Sequence, residues 1–156
     1  LRIESSEDKG TTIEMEIPLV SGVIEASSDK ALGASGSSES YRVLLAEDHS
    51  LLRPILKEAI EISGHHVEVA SDGAEAEKLG TKNRPDIMVM DIDLPITCGD
   101  VVAQNLRTEW KADIPVIFIT GNTDFIDPGW PASSVLRKPF DIEDLAEVIM
   151  DLMGHS

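Results

Sequence analysis

The chain has 156 residues, with 13 Lys plus Arg against 29 Asp plus Glu and a formal net charge of −16. So acidic a surface repels nucleic acid, and no basic stripe offsets it, which argues against DNA binding by this chain itself. Its apolar runs fall far short of the roughly 20 residues of a membrane span, no charged-then-apolar leader opens it, and its one cysteine, Cys98, excludes an internal disulfide and fits a reducing, cytoplasmic compartment.

Residues 1–20 read as two strands around a polar turn. Leu1 and Ile3 alternate with Arg2 and Glu4, then SSEDKG turns, and Ile13, Met15, Ile17 and Leu19 alternate with Glu14, Glu16 and Pro18. Period two is a strand signal, but a lone hairpin is marginal in water, so this one is expected to have lost a parent sheet. Residues 21–40 carry seven serines and three glycines without an apolar period, the composition of a flexible linker.

From Tyr41 onward, residues 41–156 alternate apolar runs with amphipathic segments. YRVLLA (41–46) reads as a buried strand. Ser50 is the expected cap of a helix whose stripe is Leu51, Leu52, Ile55, Leu56, Ala59 and Ile60, with Pro54 in its first turn and Gly64 ending it. HVEVA (66–70) is a second strand, and a helix runs from Ala74 to about Lys82. Ile87 to Met90 is a third strand, wholly apolar and therefore central. Asp100 to Lys111 predicts a helix with Val102, Leu106 and Trp110 inward. PVIFIT (115–120) is a fourth strand, Val135-Leu136 a short fifth, and Asp141 to Met153 a last helix with Ile142, Leu145, Ile149 and Leu152 on one face. The alternation predicts an α/β fold, a doubly wound five-stranded parallel sheet with helices on both faces.

Such sheets bind ligands beyond the carboxyl ends of their strands. Those ends carry Glu47-Asp48, Asp91, Thr120 and Lys138: three acids, a hydroxyl and a cation on one edge. Clustered carboxylates repel one another, and Mg²⁺, a hard cation, relieves this while leaving positions for phosphate oxygens. A carboxylate can attack phosphorus to give an acyl phosphate, whose oxygens Mg²⁺, the Lys138 ammonium and the Thr120 hydroxyl would stabilise. The set fits reversible phosphorylation of an aspartate.

At roughly residues 41–153 the chain resembles a response-regulator receiver domain, which has the flavodoxin-like fold. The matching residues are Glu47-Asp48, Asp91 with Pro95 and Gly99 four and eight positions later, Thr120, and Lys138-Pro139-Phe140. The resemblance implies that Asp91 is the phosphoacceptor and that Asp48 and Asp91 bind Mg²⁺ directly. It gives Glu47 a role through water and makes the Asp93 main-chain carbonyl a further ligand. Thr120 would hydrogen-bond the phosphoryl group and Lys138 would pair with its charge. Gly121 would leave the site open to a phosphodonor, and Asp93 and Asn122 would flank the phosphoryl group and tune its hydrolysis. The Lys138–Pro139 bond is commonly cis in this family.

Two departures stand out. GNTDFIDPGWPASS (121–134) holds Pro128, Gly129 and Pro131, so the fourth helix is expected to be absent or reduced, with Phe125, Ile126 and Trp130 filling its place. Val135 stands where the family often has an aromatic switch.

Asp8 to Thr12 (DKGTT) and the strand after it resemble the terminal hairpin of a histidine-kinase ATP-binding domain. A hairpin remnant, a linker and a receiver together imply the C-terminal part of a hybrid histidine kinase cut from a longer, membrane-attached or soluble parent. Its phosphoryl donor would be a phosphohistidine on its own kinase core, another kinase or a histidine phosphotransfer protein. The competing reading is a haloacid-dehalogenase-type phosphohydrolase, with Asp91 as nucleophile and Asp93 as general acid. Against it, a strand with its own acid pair precedes Asp91, and Glu143-Asp144 falls in a helix where that family needs a strand. A flavodoxin-like cofactor binder would need a phosphate-cradling loop after the first strand, which is missing. His49, His65, His66 and His155 read as surface residues.

Overall fold

In the computed structural model of the chain, the described residues are 2–6, 10–14, 39–122, 124 and 129–154, the first two stretches as backbone. In chain order the elements are β1 (Arg2–Ser6), β2 (Gly10–Glu14), β3 (Arg42–Ala46), α1 (Leu52–Ile62), β4 (His66–Ala70), α2 (Gly73–Lys82) and β5 (Ile87–Asp91). Then come α3 (Gly99–Trp110), β6 (Val116–Thr120), β7 (Ser133–Arg137), β8 (Phe140–Asp141) and α4 (Ile142–Gly154). The five parallel strands lie in the order β4-β3-β5-β6-β7, and a second sheet has the order β2-β1-β8.

β5, apolar from Ile87 to Met90, is the middle strand and is buried along its length, as is β6 beside it. Alternation of side chains splits the core in two. Val43, Leu45, Val89, Ile117 and Ile119 face Leu52, Leu56 and Ile60 of α1 and Leu145 and Ile149 of α4. Leu44, Met88, Met90 and Phe118 face Ala76 of α2 and Val102, Ala103 and Leu106 of α3. Both faces of the sheet are thereby covered, which is why a parallel sheet is stable here.

The structure changes several local expectations. The α1 N-terminus is capped by the His49 imidazole, whose Nδ1 accepts from the N–H groups of Leu51 (3.3 Å) and Leu52 (3.2 Å), not by Ser50. His49 and His65 are half-buried rather than surface residues. Trp110 is 36% exposed rather than inward, although its indole N–H reaches across to donate to the Gly80 carbonyl at 2.9 Å. The fifth strand runs over Ser133–Arg137, longer than two residues.

Between β6 and β7 the described residues form no helix. Trp130 occupies the space, edge-on to Phe118 with 5.7 Å between ring centroids. The Arg107 guanidinium lies 5.0 Å over the indole and donates to the Ile114 (2.9 Å) and Pro131 (2.7 Å) carbonyls. An aromatic and a stacked cation thus cover the Phe118 side of the sheet. Phe125 and Ile126, also expected there, lie outside the described residues, as do His155 and most of the Ser/Gly-rich segment.

Candidate functional site

Parallel register brings the strand ends to one edge. Ala46 stands opposite Met90, Asp91 opposite Ile119, and Thr120 opposite Arg137. Glu47 and Asp48 follow β3, Asp91 and Thr120 close β5 and β6, and Lys138 follows β7. Main-chain bonds fix the loops: Glu47 N–H donates to Ala70 O (3.1 Å), Ile92 N–H to Ile119 O (3.0 Å) and Lys138 N–H to Thr120 O (2.9 Å).

Lys138 Nζ lies 3.0 Å from Asp91 Oδ2 and 3.6 Å from Glu47 Oε2. Asp91 is 3% exposed and Glu47 fully buried, while Asp48 is exposed at the rim. One carboxylate oxygen from each of Glu47, Asp48 and Asp91 lies within 4.8 Å of the others. Asp91 Oδ1 accepts from the Asp93 N–H at 2.8 Å, and Glu47 Oε1 from the His49 N–H at 3.0 Å. Among the described residues Glu47 Oε2 has no hydrogen-bond partner, and the Lys138 ammonium at 3.6 Å is its only compensating charge there. A buried carboxylate oxygen without such a partner is expensive. Burial, reinforced by the charge of Asp91, pushes the Glu47 carboxyl up to about 8. Burial alone would lower Lys138, but the Glu47 and Asp91 carboxylates outweigh it and hold its ammonium above the ordinary range.

Thr120 Oγ1 accepts from the Asn122 N–H at 2.9 Å, so the hydroxyl proton is left to point elsewhere. Gly121 is exposed, and a Cβ added there would meet nothing within 4 Å among the described residues. Asn122 and Asp93 are both exposed at the mouth. Gly99 answers a different need: an added Cβ would sit 2.1 Å from the Asp91 carbonyl oxygen, so only glycine lets α3 start against the back of the site. The intervening turn is tight, with Ile96 at φ +72° and the Thr97 N–H donating to Pro95 O at 2.8 Å. The Lys138–Pro139 peptide is cis.

Sequence reasoning missed two positioning groups. Arg53 Nη1 donates to the Glu47 (3.1 Å) and Asp48 (3.3 Å) carbonyls, anchoring the acid loop from α1. Arg137 Nη1 donates to the Asn122 carbonyl at 3.0 Å and holds the loop after Thr120. Neither has a sequence signature beyond proximity to a motif. A concavity of about 880 Å³ lies elsewhere, lined by Tyr41, Asp86, Asp113 and Pro115 among others, and shares none of these residues.

A doubly wound α/β domain with three acids, a hydroxyl and a lysine at the carboxyl edge is the arrangement expected of the receiver class. The response regulator receiver domain family matches residues 43–150, and the chain belongs to it. It is 31% identical over 121 residues to the response regulator MprA of Mycobacterium leprae, an alignment covering 74% of this chain and 52% of that protein. The chain therefore spans about half the length of the curated relatives it matches. Among solved structures, the Vibrio cholerae chemotaxis protein CheY4 superposes with a TM-score of 0.64 at 25% identity, covering 73% of this chain and 99% of that one. The receiver domain of the hybrid histidine kinase CckA superposes at 0.62 with 26% identity, covering 72% and 98%. The fold is thus the five-stranded receiver fold, with no helix among the described residues between β6 and β7, and the phosphohydrolase reading finds no support. No helix of the described residues is long and apolar enough to cross a membrane.

Proposed function

We propose that Asp91 accepts the phosphoryl group from a phosphohistidine, with Thr120 and Lys138 stabilising it. The observation that carries this is the Lys138 ammonium 3.0 Å from a nearly buried Asp91 carboxylate, ringed by two further acids. An Asp91 oxygen attacks phosphorus, a P–O bond forms as the P–N bond breaks, and the bond's electron pair leaves with the imidazole, which takes up a proton. Lys138 is placed to pair with the transferred oxygens, and the Thr120 hydroxyl to donate to one of them. The orphan oxygen of Glu47 and the three convergent carboxylates fit a hard divalent cation. Asp48, Asp91 and the Asp93 carbonyl would hold Mg²⁺, with Glu47 behind them. When bound, the ion offsets the charge of the phosphoryl oxygens.

Acetyl phosphate with Mg²⁺ tests this. One phosphoryl group should add per chain, in base-labile form, and Asp91→Asn should take up none. Equal labelling of both proteins would sink the assignment.

We place residues 1–20 as the terminal hairpin of a kinase ATP-binding domain, 21–40 as a linker and 41–156 as the receiver of a cytoplasmic hybrid histidine kinase segment. The DKGTT stretch and the likeness to the CckA receiver support that reading. The donor is then the parent's own kinase core or a histidine phosphotransfer partner.

A further inference from the structure

A threonine hydroxyl carries one proton and two lone pairs, and it turns freely unless a neighbour fixes it. At Thr120 that neighbour is the Asn122 N–H, which donates to Oγ1 at 2.9 Å and closes the torsion that would aim the proton back at it. The N–H keeps its place only while the peptide beyond Gly121 does, and glycine restrains a backbone less than any other residue. The hold comes from the neighbouring strand. Arg137 stands opposite Thr120 in the parallel register, on the same face of the sheet. Its Nη1 donates to the Asn122 carbonyl at 3.0 Å. One residue on, the Lys138 N–H donates to the Thr120 carbonyl at 2.9 Å. Asn122 is thus gripped through both of its main-chain groups, while its side-chain oxygen accepts from the Asp124 N–H at 2.8 Å.

We infer that Arg137 is a positioning residue for phosphoryl transfer: by holding the Asn122 peptide it fixes the Thr120 hydroxyl as a donor to the phosphoryl oxygens. The inference rests on Asp91 being the phosphoacceptor. It gives Asn122 its part through the main chain, because its side-chain oxygen is committed to the loop. A hydrogen bond from a charged donor is among the stronger kinds. Arg137 and Asn122 are both exposed, so this bond rather than packing sets the loop. A guanidinium at the rim also attracts an anion directly through its field. That attraction does not pass through the hydroxyl, which makes the two routes separable.

A double-mutant cycle on the full chain separates them. Beryllofluoride, as the phosphoryl mimic, is titrated by calorimetry in saturating Mg²⁺ into the parent, Arg137→Ala, Thr120→Val and the double variant. Thr120→Val, which keeps the shape without the hydroxyl, should weaken binding. Arg137→Ala should weaken it by about fivefold, the worth of one net hydrogen bond. In the Thr120→Val background Arg137→Ala should cost nothing further, because the group it positions is gone. Mg²⁺ titrated alone should bind the parent and Arg137→Ala equally. The same loss from Arg137→Ala in both backgrounds assigns the residue to the field and overturns the inference. So does no loss in either background, or a matching loss of Mg²⁺ affinity, which would mean that the whole edge has shifted. None of these touches the assignment of Asp91. Beryllofluoride binding to the parent and to Asp91→Asn alike would fell that reading, and the inference with it.

Discussion

Replacing Glu47 with Gln keeps the side chain's shape and an acceptor for the His49 N–H, but removes its charge. Glu47 is fully buried and its carboxyl titrates near 8 instead of the ordinary 4.5, chiefly because burial penalises the ionised form. Between those two values the folded chain keeps a proton that the unfolded chain has released. Stability without a divalent cation therefore falls as pH rises from 4.5 to about 8, and levels off above. Each pH unit inside that window is worth at most about 1.4 kcal/mol. Local relaxation and water penetration reduce the total to about 2–3 kcal/mol. The Gln variant has no such proton to lose. Urea unfolding in EDTA should show its advantage over the wild type growing by about 2–3 kcal/mol in all across this range and then flattening. Mg²⁺ at pH 8 should stabilise the wild type more than the variant, since only the wild type presents a third carboxylate. A difference between the two proteins that is constant from pH 5 to 8 would refute the buried-carboxyl argument.

Three other changes separate scaffold from chemistry. Gly99→Ala drives a Cβ to 2.1 Å from the Asp91 carbonyl, so it should cost about 1–3 kcal/mol and slow acetyl-phosphate labelling at once; normal labelling would show that the α3 start does not position Asp91. Trp130→Ala removes the cover over Phe118 and the platform for Arg107, and should lower unfolding stability by about 2–4 kcal/mol while labelling persists. Asp93→Asn should alter the acyl-phosphate lifetime without preventing labelling, because the N–H that holds Asp91 Oδ1 is retained; an unchanged decay rate would remove Asp93 as a modulator.

The sheet and its site were legible because parallel α/β folds put strand ends, and only strand ends, on one edge. Period-two and wholly apolar runs located the strands, and the polar residue after each run then had to meet the others. Pro128, Gly129 and Pro131 likewise pointed to a reduced fourth helix, and of the three apolar side chains expected in its place Trp130 lies among the described residues and packs there. What stayed hidden depends on tertiary geometry. The His49 cap displaced Ser50 because the imidazole Nδ1 meets two N–H groups at the turn, an outcome no propensity ranks. Arg53, in the first turn of α1, reaches back to the carbonyls of the acid loop, a choice of rotamer that no periodicity records. The pairing of Arg2 and Ile3 with Phe140 and Asp141 joins ends of the chain that share no periodic signal.

Charge bookkeeping at the edge connects these pieces. Lys138 faces Asp91 and Glu47, and Asp48 converges on the same point, so the described carboxylates outnumber the contacting ammonium three to one. The raised Glu47 carboxyl is the resting answer to that excess: burial and the neighbouring Asp91 charge both favour its protonated form. A phosphoryl group on Asp91 adds negative charge where that answer is already in use. The site then needs either a divalent cation or the undivided attention of Lys138, and both act through the same few ångströms.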